Sequence, residues 1–123
     1  MRGLMALALV VPLLAGCGGG GSGGPAQWIK AENLPPRAQP SARLFESASC
    51  TTCHTYAGSG SQSLQAPDLT NIGARNLGIR FQIDHLKCPA CVNPGSPMPK
   101  YDSLGETRLH QLAAFLEASK GTH

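Results

Sequence analysis

The chain reads as an all-α domain of three to four helices around a thin core, and three observations carry that expectation. Near the C-terminus Leu109, Leu112, Ala113 and Leu116 fall at i, i+3, i+4 and i+7, the spacing of a single helix face. A weaker stripe of the same period runs through Ile79, Ile83 and Leu86. Nowhere do apolar and polar residues alternate over the length of a strand.

The N-terminus speaks to compartment before fold. Arg2 precedes an apolar run over residues 4–14 that only Pro12 interrupts. A membrane span needs ~20 such residues, so the run suits the core of an export signal instead. It ends in Leu14-Ala15-Gly16-Cys17, which resembles the lipobox of bacterial lipoproteins. Residues 1–16 are therefore expected to be a signal peptide and Cys17 the lipidated first residue of the mature chain. Acyl chains there would anchor firmly, each buried CH₂ adding ~0.8 kcal/mol. Ordinary cleavage nearby, with Cys17 unmodified, is the plainer alternative. Residues 18–24 are Gly and Ser, a flexible coil by composition. Pro35, Pro36 and Pro40 favour extended polyproline geometry over residues 25–40. Residues 17–40 thus read as a tether, and Trp28 within it would pack on the domain or on the membrane interface.

The folded part is expected over residues 41–121. A short helix over 41–49 has Ser41 as cap and Leu44 and Phe45 as contacts. Residues 50–76, rich in Gly, Ser and Pro without a period, read mostly as loop. The second stripe predicts a helix over 77–87, and Pro94, Pro97 and Pro99 exclude one over 92–101. Ser103-Leu104-Gly105-Glu106 is a capping box for the last helix, and Lys120-Gly121 supplies a basic last turn and a stop. The expected core is Leu44, Phe45, Leu69, Ile72, Ile79, Ile83, Leu86, Leu109, Leu112 and Leu116.

With 14% of 123 residues charged and 5% aromatic, protein atoms alone make a meagre core. A domain of ~80 residues then needs a metal, a disulfide or a cofactor as a staple. The net charge of +3 includes Arg2, and Lys and Arg form no run, so no nucleic-acid partner is expected.

The staple is visible in Cys50-Thr51-Thr52-Cys53-His54, the Cys-x-x-Cys-His attachment pattern of c-type haem. Two thiols three positions apart reach two vinyl groups on one porphyrin edge, and the adjacent imidazole then lies under the iron as proximal ligand. Attachment of this kind requires export, which the signal supplies independently. A second axial ligand is offered by Pro97-Met98-Pro99, where prolines hold a thioether on a stiff irregular segment. A gap-filling methionine is the bland alternative, but Met98 is the only methionine outside the signal.

From residue 41 to residue 119 the chain resembles a class I c-type cytochrome, particularly the bacterial kind fused to or partnering terminal oxidases. The resemblance is carried by Leu44-Phe45, the haem motif, Pro67-Asp68-Leu69-Thr70, Gly73-Ala74-Arg75, Pro94-Gly95-Ser96-Pro97-Met98-Pro99 and Ala113-Ala114-Phe115-Leu116, in order. It implies one covalently bound haem c with His54 and Met98 on iron. It also implies that the Pro67 carbonyl accepts the His54 N–H and that Arg75 hydrogen-bonds a propionate. The first and last helices would cross near Ser41, Leu44, Phe45, Leu112 and Phe115; Ser41 stands where the family usually has Gly. With both axial positions filled, the protein would carry single electrons and catalyse nothing itself. Its expected partners are a membrane, through the lipid, and redox proteins such as a quinol-oxidising complex and a terminal oxidase. The domain would face the periplasm or the cell exterior.

Cys88-Pro89-Ala90-Cys91 departs from the family pattern. Val92 follows where a second haem site would have histidine. Together with Cys50 and Cys53 it offers a four-cysteine zinc or iron site, a rival that leaves His54 and Met98 without roles. In an exported chain a Cys88–Cys91 disulfide is the expectation. A haem enzyme or gas sensor with a labile distal ligand is the other rival. His85 could replace Met98 but reads as exposed surface, as does His110, and His123 is terminal.

Overall fold

A computed structural model describes residues 23–121. The expected signal peptide and the lipidation site Cys17 lie outside the described residues, as does His123.

The proline-rich segment is where structure and expectation part. Residues 25–40 do not run extended: helix α1 spans Pro25–Ala31, a 3-10 turn spans Pro36–Ala38, and helix α2 spans Gln39–Ser47. Pro25, Pro36 and Pro40 each sit in the first turn of one of these segments. There the missing N–H costs nothing and the fixed φ already suits a helix. Ser41 is therefore inside α2 and not its cap, and the folded part reaches back well beyond residue 41. Trp28 shows why α1 holds: it is only 2% exposed, packed edge-on against Phe45 (5.8 Å) and Tyr56 (5.6 Å).

The rest of the chain is organised around α5, Glu106–Ala118, which packs against α2 and against α3, Ile79–Lys87. The crossing of α2 and α5 buries Ala42, Phe45, Leu112 and Phe115, and Phe45 meets Phe115 at 5.3 Å. Tyr56 completes the cluster at 5.1 Å from Phe115. Aromatic pairs in such tilted and edge-on geometries add ~0.5–1.5 kcal/mol each beyond area burial. The Tyr56 hydroxyl bonds Ser119 Oγ at 2.6 Å, while that oxygen donates to the Phe115 carbonyl at 2.7 Å, so Tyr56 is the donor. Of the expected core, Phe45, Leu86, Leu109, Leu112 and Leu116 are buried. Leu44, Leu69, Ile72, Ile79 and Ile83 are partly buried.

Three smaller features differ from expectation. Ser103 lies in a 3-10 turn, Asp102–Leu104, and Gly105 takes the cap position of α5 with φ 84°, so the capping box does not form. The helix ends at Ala118, leaving Lys120 beyond its last turn. Thr55–Tyr56 and Ser59–Gly60 pair as a two-residue antiparallel hairpin, β1 and β2. Ladders this short carry no alternating pattern for a sequence to show.

Two glycines are demanded by close approach. A Cβ on Gly60, at φ 84°, would come within 2.6 Å of the His54 carbonyl oxygen. A Cβ on Gly73 would drive into the Glu117 backbone, where the Gly73 N–H instead donates to the Ser119 carbonyl at 2.7 Å. Among the described residues no helix is long and apolar enough to cross a membrane.

Candidate functional site

The helices close around a cavity of about 750 Å³, within the range of cofactor sites. Cys50, Cys53, His54, Pro67, Arg75 and Met98 all contribute to its wall. Every residue singled out in the folded part for haem is thus brought to one place.

The attachment motif follows directly from α2. Ser49, at φ 63°, ends the helix and turns the chain into a 3-10 turn, Cys50–Thr52. The His54 N–H donates to the Cys50 carbonyl at 3.0 Å, closing the motif on itself. The following loop is stapled back by Ser61 N–H to the Thr51 carbonyl and Ser63 N–H to the Cys53 carbonyl. His54 Nδ1 donates to the Pro67 carbonyl at 2.7 Å, which leaves Nε2 as the nitrogen with a free lone pair. Asp68, next to Pro67, is fixed by the Thr70 N–H at 2.8 Å and by the Thr70 hydroxyl. Burial works against the Asp68 charge, but these bonds and the Thr55 hydroxyl prevail and hold its carboxyl below the usual range.

Met98 comes from the irregular stretch between α3 and α5. The Tyr101 N–H donates to the Leu86 carbonyl at 2.8 Å, closing that stretch at its base. The Tyr101 hydroxyl donates to the Ala48 carbonyl at 3.2 Å, tying the same stretch to the end of α2 just before the cysteines. Within it a short helix α4, Pro89–Val92, carries the Cys88–Cys91 disulfide, with Cα atoms 5.3 Å apart. Arg75 ends the 3-10 turn Ile72–Arg75, exposed at the cavity's edge.

His85 corrects the reading of it as exposed surface. It lines the cavity and is half-buried, because Phe81 and His85 lie one helical turn apart on the face of α3 turned to the site. Burial, and then the neighbouring His54, hold its imidazole below the ordinary histidine range. Phe81, Leu64 and Val92 are exposed apolar side chains around the same cavity, and neither they nor Tyr101 were expected there. Phe81 had a legible signal, its i, i+4 spacing to His85; Leu64 and Tyr101 arrive through loops and Val92 at the end of the short helix α4.

The residues present fit a covalently held haem. Cys50 and Cys53 are free thiols on the cavity wall beside an oriented imidazole. They do not fit the rival site of four cysteines: Cys88 and Cys91 are bonded to each other. Burial pushes the Cys50 thiol up to about 12.

A helical domain that wraps a cavity bearing Cys-x-x-Cys-His belongs among the proteins that attach haem through thioethers. The chain is a member of the cytochrome c family, whose family model matches residues 38–120. It has the all-α cytochrome c-like fold and binds covalently attached haem c, consistent with a single haem. No curated relative matches the chain. Family membership makes haem-based electron transfer its function class.

Proposed function

We propose that the chain is a single-electron carrier, with Cys50 and Cys53 holding haem c and His54 and Met98 serving as the two axial ligands. The observation that carries this reading is that His54, oriented by the Pro67 carbonyl, and Met98 line one cavity with both attachment cysteines. Haem supplies the redox chemistry; the chain supplies placement, burial and tuning. His54 contributes an imidazole whose orientation and tautomer are fixed by its second-nitrogen bond. Met98 contributes a thioether that favours the ferrous state. Arg75, at the cavity edge, is placed to meet a propionate. Filled axial positions leave no room for a substrate, so the protein is not an enzyme in this reading.

In the same reading Cys17 is lipidated after export and the domain works at a membrane surface, between a quinol-oxidising complex or another exported donor and a terminal oxidase. With α1 folded onto the domain, only residues 17–24 link lipid to protein. At ~3.5 Å per residue they reach at most about 28 Å, which keeps the haem domain near membrane partners and raises its effective concentration there.

The test is the optical spectrum and midpoint potential of membrane-extracted protein beside a Met98→His variant. A low-spin haem whose potential falls on substitution is expected, since bis-His ligation lies lower than His/Met. An unchanged spectrum and potential would remove Met98 from iron. Mass spectrometry of the mature N-terminus should find acyl chains on Cys17, and an unmodified Cys17 would count against the lipid anchor.

A further inference from the structure

His85 stands in the cavity wall with His54 and Met98, yet electron carriage as described gives it no task. Its ring is stacked on Phe81, with centroids 6.1 Å apart and planes inclined by 15°, so its plane is set by packing. Among the described residues neither of its nitrogens has a hydrogen-bond partner. An imidazole without a protein partner in the wall of a cofactor cavity is free to meet the cofactor. His54 differs: its Nδ1 is committed to Pro67.

The supports of the two side chains also differ. Met98 rides on an irregular stretch whose backbone is held through Tyr101 to Leu86 and Ala48. His85 is in the body of α3, which is anchored on α5 by buried Leu86 and by the Gln82 amide donating to Glu117 Oε1 at 2.9 Å. His85 is therefore carried by α3 and not by the Met98 stretch. An imidazole nitrogen is also a ready ligand for haem iron.

We propose that His85 is a reserve distal ligand: when the Met98 thioether leaves the iron, the His85 imidazole takes the sixth position. This rests on Met98 being the resting ligand. The exchange breaks one iron–sulfur bond and forms one iron–nitrogen bond, with both ligands neutral and no electron or proton transferred. Loss of Met98 then yields a closed, lower-potential carrier in place of an open, gas-binding haem.

The experiment uses the holoprotein with Met98→Leu, which removes the sulfur at nearly constant volume, and the double variant Met98→Leu with His85→Leu. Haem staining and circular dichroism establish that both are loaded and folded. The expected result is a low-spin Met98→Leu protein with a lowered midpoint that does not bind carbon monoxide, and a high-spin double variant that binds it rapidly. A Met98→Leu protein that is itself high-spin and binds the gas overturns the role of His85 and leaves Met98 as the resting ligand. A double variant that stays low-spin also overturns it, because another group is then filling the site. If Met98→Leu changes neither spectrum nor midpoint, Met98 was never on the iron, and the parent reading falls together with this one.

Discussion

The Trp28 indole N–H donates to Ser59 Oγ at 3.0 Å, joining α1 to β2 and so to the loop that follows Cys50 and Cys53. Residues 25–34 thereby belong to the structural support of the site although the family match begins at residue 38. Trp28→Ala should cost about 3–5 kcal/mol, the range for deleting a buried aromatic. Trp28→Phe keeps most of the ring contact but strips the N–H from a buried hydroxyl, a loss of about 1–3 kcal/mol. Denaturant unfolding of the holoprotein measures both. Near-wild-type stability for Trp28→Ala would mean that α1 is not part of the cooperative unit.

The proposed attachment through Cys50 and Cys53 predicts a sharp biochemical result. Replacing both Cys50 and Cys53 by Ala should abolish haem staining on a denaturing gel, whereas replacing either alone leaves a single thioether and a weaker band. Undiminished staining of the double variant would contradict attachment at these positions.

Acid stability should depend on Asp68. Its folded-state carboxyl lies below its unfolded value, so it stabilises the fold above the unfolded pKa of about 4 and that stability is lost as pH falls through the lower, folded value. Asp68→Asn should therefore flatten the decline of the unfolding midpoint as pH falls below the unfolded pKa, with the two proteins converging at the acid end. An identical acid limb in both would remove Asp68 as a contributor.

The Cys88–Cys91 bond closes a loop of only four residues, for which chain entropy gives about 2 kcal/mol. Cys88→Ser with Cys91→Ser should lower stability by roughly that amount. Because the bond lies in the stretch that carries Met98, the midpoint potential of the double variant should shift, while haem staining remains. Equal stability and potential would show that the Tyr101 bonds hold the stretch alone.

The chemistry of the site and the strongest periodicities were legible from the residues alone. Cys50, Cys53 and His54 are close neighbours along the chain, and Leu109, Leu112 and Leu116 repeat within one helix, so short-range order suffices to read them. The proline-rich segment misled because proline favours both polyproline geometry and the first turn of a helix, and local preference does not choose between them. Burial of Trp28 between Phe45 and Tyr56 does. The same holds for Ser103, displaced from its capping role by the turn before Gly105, and for His85, whose helix face becomes a cavity wall only once α3 lies on α5. Contacts between residues far apart along the chain depend on which surfaces the packed helices bring together, and that choice is made by the fold as a whole.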